Sequence, residues 1–230
     1  MTLKIQKWTA VLCSLILLAL LATSCTKDPN VKAKEGQKNE YNVDMNSSET
    51  TETELPGFHS YGTGKTEPVT VGGVSINVKS YAVRSYELAY MMGQKEFSSP
   101  NQLSVDVLTQ YGFSHVLLPN LNETTNKSME YRTATLEQIQ AELQKLFGTV
   151  DADLTKAELY KPSEKIFEMW MPDYGCNIYY TIDAVNVEGN KADIITTFYN
   201  ELARSTMLGR TTLTVTVQNG AAAISALKTE

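Results

Sequence analysis

Two short stretches carry residue types at spacings that suit phosphate chemistry. In "FGTVDADLTKAE", Asp151-Ala152-Asp153-Leu154-Thr155 sets two carboxylates one residue apart, followed by a threonine. In such an arrangement the first aspartate attacks phosphorus and the second handles the proton, provided the loop closes a parallel strand and further acids hold Mg²⁺. Here an amphipathic pattern ending at Gly148 precedes the aspartates and a strand-rich stretch follows. That context predicts an ordinary helix-to-strand loop, with Thr155 and Glu158 capping a short turn. A calcium loop would need glycine at Lys156 and a bidentate glutamate at Pro162. "YGTGKTEP" contains Gly64-Lys65-Thr66, the end of a phosphate-binding loop. His59 stands where the loop's first glycine belongs, and Pro68 with a strand pattern follows in place of a helix.

The remaining reactive side chains are scattered. His59 and His115 pair with nothing in the sequence pattern, and His115 reads as a partly exposed polar residue. Of the cysteines, Cys13 lies in an N-terminal apolar run and Cys25 at its end, which leaves Cys176 as a half-buried residue near a turn. No catalytic or metal-ligating residue is assigned, and no cofactor is expected. Aromatic residues are the stronger clue: Tyr160, Trp170, Tyr174, Tyr179, Tyr180 and Tyr199 gather near the expected sheet. Trp170, Tyr174, Tyr179 and Tyr180 are the candidate binding residues, lining a groove for peptide or glycan; ordinary sheet packing is the alternative. Tyr179 and Tyr180 must point to opposite faces of a strand, so at most one is core if the other face is open.

With 20 basic and 26 acidic side chains the net charge is −6, or −8 without residues 1–24, which hold Lys4 and Lys7 and no acid. An acidic chain lacks the basic footprint for a phosphate backbone, so nucleic acid is not an expected partner. After Lys4 and Lys7, the apolar stretch Trp8–Ala22 runs fifteen residues, about 22 Å as a helix. A bilayer core of about 30 Å wants about 20 residues, so the stretch suits a signal peptide rather than a span. Ala22-Thr23-Ser24-Cys25 then resembles the lipobox of bacterial lipoproteins, although leucine, the commoner residue three places before the cysteine, stands one place earlier as Leu21. The resemblance implies cleavage after residue 24, lipidation of the Cys25 thiol with palmitate-type chains, and an extracytoplasmic protein anchored in the cell membrane. Two acyl chains hold such a protein essentially permanently. Residues 26–56 are polar and charged, with too few apolar residues to offset ordering entropy, and read as a disordered tether. As a coil they would span roughly 30 Å.

From residue 57 to 230 the pattern predicts a single α+β domain. "VTVGGVSINV" suggests a short hairpin or a bulged strand about Gly72-Gly73, while "YAVRSYELAYMMG" fits strand and helix spacing equally. One helix is expected from a Ser99 cap with Pro100 in the first turn, an apolar face of Leu103, Val107, Leu108 and Tyr111, and an end at Gly112. A second runs from a Thr135–Gln138 capping box along Leu136, Ile139, Leu143, Leu146 and Phe147 to Gly148. Between them "LLPNLNETTNKSMEYR" reads as a long exposed loop, a candidate contact surface. Five strands follow: "EKIFEMWM", "NIYYTIDAVNV" with Ile178, Tyr180, Ile182 and Ala184 on one side, "KADIITTFY", "TTLTVTV" and "AAISAL". Joined mainly by hairpins, they form an antiparallel C-terminal meander packed against the two helices. That order is similar to cystatin-like and NTF2-like folds and to uncharacterised lipoprotein domains of Firmicutes.

The expected function is a membrane-tethered, non-catalytic binding module for an envelope peptide, glycan or protein. The alternatives are a regulator or inhibitor of an envelope hydrolase, acting through loops such as 119–133, and an unrecognised hydrolase.

Overall fold

Alternation of apolar and polar residues in the last third of the chain builds the largest sheet. In this computed structural model, which describes residues 58–116, 122–123, 131–170 and 176–230, strands β9 (Cys176–Glu188), β10 (Lys191–Tyr199), β11 (Met207–Gln218) and β12 (Ala221–Thr229) form an antiparallel meander. Asn219 and Gly220 turn β11 into β12 with φ of 52° and 78°, the left-handed pair of a tight hairpin. Two further strands complete the sheet. β1 (Phe58–Gly64) runs parallel to β9 at one border, and the two-residue β4 (Glu96–Phe97) pairs with β12 at the other. The fold is α+β.

The expected five-strand meander is corrected in two ways. "EKIFEMWM" supplies β8 (Ile166–Trp170), but this strand belongs to a second sheet of order β5-β6-β8-β7, with β5 (Asn122–Glu123), β6 (Tyr131–Thr135) and β7 (Tyr160–Lys161). Ala184 also leaves the face of Ile178, Tyr180 and Ile182. Ile195 pairs with Ala184 while Thr196 pairs with Ile182, so Asp183 is an extra residue and the bulge inverts the alternation beyond it. The expected loop between the helices is in part strand as well, at β5 and at Tyr131–Arg132 of β6; its remainder lies outside the described residues. The Gly72-Gly73 stretch is the short hairpin, joining β2 (Val69–Val71) to β3 (Val74–Ile76).

Three helices join the sheet in one core. α1 (Val78–Tyr86) is capped by Asn77 and lies against β9, β10 and β11. It continues as a wider π turn, Glu87–Met91, closed by Met92 N–H donating to the Glu87 carbonyl at 2.9 Å. The wider turn buries three consecutive residues, Glu87, Leu88 and Ala89. No single period describes such a run, which is why its sequence fitted two. α2 (Val105–His115) begins later than expected. Ser99 caps only a 3₁₀ turn, Pro100–Gln102; Leu103 is extended, and Ser104 accepts from Val107 N–H at 3.2 Å to start the helix. Gly112 does not end α2. It sits mid-helix, where an added Cβ would lie 2.9 Å from Ile139 Cγ2 and 3.0 Å from Leu143 Cγ, so its bare surface is what admits α3. α3 (Leu136–Phe147) has the full Thr135–Gln138 capping box and packs on α2, β6 and β12. Val78, Leu88, Leu108, Phe113, Ile139, Ile194, Phe198, Leu213 and Ile224, all fully buried, join sheet and helices in one core. The described residues fall within one compact unit, Thr53–Glu230.

Candidate functional site

Strand register places four residues in one row across the outer sheet face. Tyr61 pairs with Tyr179, Tyr179 with Tyr199, and Tyr199 with Met207. Residues directly opposite one another share a face, and Tyr180, one position on, points inward and is fully buried against Phe198. The expectation that the two tyrosines divide between core and surface is met. Tyr61 and Tyr179 stack, ring centres 5.2 Å apart and planes at 24°, and Tyr61 and Met207 are 43% and 57% exposed.

The next row is polar. Thr63 pairs with Thr181, Thr181 with Thr197 and Thr197 with Arg210. Thr63 and Thr181 hydroxyls lie 3.0 Å apart, Thr197 donates to Asp183 at 2.7 Å, and Arg210 Nε reaches the same carboxylate at 3.3 Å. The bulge that pushes Asp183 out of register sets it between this threonine and this arginine. Thr214 donates to Asp193 at 2.7 Å, and the Thr216 hydroxyl lies 2.8 Å from that of Ser225. The face is an aromatic row beside threonines whose hydroxyls are already oriented.

Of the other candidate residues, Trp170 ends β8 in the second sheet, 43% exposed, and is not brought into the row. Tyr174 and Cys25 lie outside the described residues. Cys176, half-buried, opens β9 opposite Phe58. Sequence reading missed Tyr61 and Met207, because a row across four strands is set by register rather than by spacing along the chain. It also missed the Asp183–Arg210 pair, which depends on the bulge.

The motifs that resembled phosphate chemistry have structural work. Asp153 caps the 3₁₀ turn Leu154–Lys156, accepting from the Thr155 N–H at 3.2 Å and its hydroxyl at 2.6 Å. The cap is therefore Asp153 and not Thr155, and Glu158 N–H donates to Asp106 at 2.8 Å. The Thr155 hydroxyl holds the Asp153 carboxyl below its ordinary range. Lys65 N–H donates to the Ile182 carbonyl at 3.0 Å as the chain leaves β1 toward β2.

His115 is a correction. Its side chain is 7% exposed, with Nε2 3.0 Å from Glu87 Oε2, and that same oxygen accepts from the Tyr111 hydroxyl at 2.9 Å. Glu87 is fully buried on the π turn, and its Oε1 has no hydrogen-bond partner among the described residues. Burial and the neighbouring carboxylate raise the Tyr111 hydroxyl well above its ordinary pKa, so Tyr111 stays a proton donor. The cluster joins α1 to α2 and offers a substrate no approach. A shallow cleft of about 190 Å³ lies elsewhere, lined by Leu143, Gln144, Val150 and Leu154; ligand pockets begin at about 300 Å³. Among the described residues no group of three or more His, Cys, Asp or Glu is arranged to hold a metal ion. No helix among them is long and apolar enough to cross a membrane. Comparison with protein-family models, curated proteins and solved structures finds no match to this chain.

Proposed function

We propose that this chain is a lipid-anchored protein of the extracytoplasmic side of a cell membrane, a non-catalytic module that holds a protein or extended peptide of the envelope on its outer sheet face. The row Tyr61–Tyr179–Tyr199–Met207 carries this reading. Tyrosine, methionine and arginine are the types enriched at the centres of protein interfaces, and here they share one face with Arg210 in the adjoining row. Ring attitude favours a polypeptide over a glycan. Tyr61 and Tyr179 cover one face of each other, which takes from each ring a face on which a sugar would stack. A row that crosses four strands and is exposed at both ends, Tyr61 and Met207, favours an extended partner over a small molecule. Anchoring rests on the signal-peptide pattern and Cys25.

The test is a photo-crosslinking residue placed at 179 or at 156 in living cells, with a palmitate analogue in the medium. A discrete adduct at 179, none at 156, and lipid label abolished by Cys25→Ala are the expected results. Equal adducts at both positions, or at neither, would overturn the binding face; label surviving in the variant would overturn the anchor.

A further inference from the structure

The unit carries an exposed apolar end, and it is the end at which the chain arrives. We propose that this end, tipped by the connection between β10 and β11, rests on the bilayer that holds the lipid anchor. The proposal rests on the anchored reading above.

Residue 57 leads directly into β1, whose first residue, Phe58, pairs with the first residue of β9, Cys176. β10 ends at the same edge, where Tyr199 pairs with Tyr179, and residues 200–206 return the chain to β11 at Met207. Leu202, Met207, Leu208 and Tyr61 gather there, 60%, 57%, 39% and 43% exposed. Of the large hydrophobic side chains exposed among the described residues, only Val187 and Trp170 are not at this end.

The connection is prebuilt. Asn200 N–H donates to the Thr206 carbonyl at 3.1 Å, and the Ser205 hydroxyl donates to Glu201 at 2.5 Å. Arg204 ties the turn to the neighbouring strand, its guanidinium donating to the Leu202 carbonyl at 3.3 Å and the Tyr61 carbonyl at 3.0 Å. Leu202 is thus presented with its backbone already ordered, which removes a cost that binding otherwise carries. Glu201 and Arg204 on the connection balance in charge, so the attraction is apolar burial, led by Leu202 and Leu208, rather than electrostatics.

A few apolar side chains would not hold a free protein on a membrane. An anchored one is different. With a tether whose composition gives a reach of roughly 30 Å, the contact is intramolecular and acts at an effective concentration on the order of millimolar. A weak contact then sets the orientation. With only the Leu202 tip and Leu208 on the bilayer, both outside the row Tyr61–Tyr179–Tyr199–Met207, that row stays open to a partner.

The experiment uses the full lipidated chain reconstituted in phosphatidylcholine vesicles, in a Cys176→Ser background. An environment-sensitive fluorophore is attached through Leu202→Cys or through Val187→Cys, near the turn at the opposite end. Nitroxide-labelled lipid is expected to quench the probe at 202 at least about threefold more than at 187. Equal quenching, or none at either site, would overturn the proposal. So would a probe at 202 that is shielded from water in native membranes yet unquenched by lipid, which would assign the end to a protein neighbour. Intact mass of the same preparation reports the lipid on Cys25 separately. Absent lipid mass removes the anchored reading, while lipidated protein with 202 unquenched removes the docking alone.

Discussion

Glu87 is the residue whose surroundings carry the largest consequence. One buried oxygen accepts two hydrogen bonds, from Tyr111 and His115, and the other accepts none among the described residues. Removing a donor leaves a buried carboxylate less satisfied, which costs about 1–3 kcal/mol. Tyr111→Phe is expected to lose about that much at pH 7, read from urea denaturation. The sign of the pH effect follows from linkage. The folded-state pKa of Tyr111 is raised above its unfolded value, about 10 for a tyrosine. Its contribution is therefore fully present below that value and falls away as pH rises through the folded pKa. Wild type should lose stability more steeply above about pH 10 than Tyr111→Phe does; parallel curves would remove the role assigned to this hydroxyl. None of the cluster was legible in the sequence. His115 lies 28 positions from Glu87, and a lone histidine beyond an amphipathic run gives no sign of its partner.

At the scale of elements, local chemistry was legible and long-range register was not. The Thr135–Gln138 capping box appears as expected, and the Gly72-Gly73 stretch takes the hairpin of its two expected forms; each, like the Asn219-Gly220 turn, is decided within a few residues. Ser99 and Ser104 both have cap chemistry; Leu103, extended between them, assigns the helix to Ser104. Gly112 has the same composition signal as a helix end, but its role is set by α3, which no local window contains. Gly112→Ala gains up to about 1 kcal/mol of helix propensity and loses about 1–3 kcal/mol to overpacking against Ile139 and Leu143. Ile139 is branched at the contact and has little freedom to give. The expected result is a net loss of about 1–2 kcal/mol in denaturant unfolding with the far-ultraviolet spectrum unchanged; a more stable variant would show that α2 and α3 separate easily. The allotment of "EKIFEMWM" to a second sheet was illegible for the same reason, since strand pattern says nothing about which neighbour a strand takes.

For the whole molecule, α+β composition and the C-terminal hairpins could be read from periodicity, whereas the parallel pairing of β1 with β9 joins positions more than a hundred residues apart and leaves no trace in spacing. The candidate face depends on that pairing, because Tyr61 joins Tyr179 through it. Brief digestion of the full chain by a nonspecific protease should cut within residues 26–56 and leave a stable fragment that begins near Phe58, read by mass spectrometry. Early cuts within β9–β12 instead would contradict the compact unit bounded at Thr53–Glu230.

The direction of β1 has a mechanical consequence. Tension arriving through residue 57 pulls the strand along its own axis, past β9, whose hydrogen bonds run from Phe58–Cys176 to Gly64–Ile182. Parallel bonds are evenly spaced, so they share such a load in shear and must fail together, where an end pulled sideways would peel them one at a time. Were the chain held by its N-terminal end in moving fluid, as the proposed anchor would hold it, drag would load this ladder in shear, and rupture there would be governed by the rate of unfolding rather than by equilibrium stability.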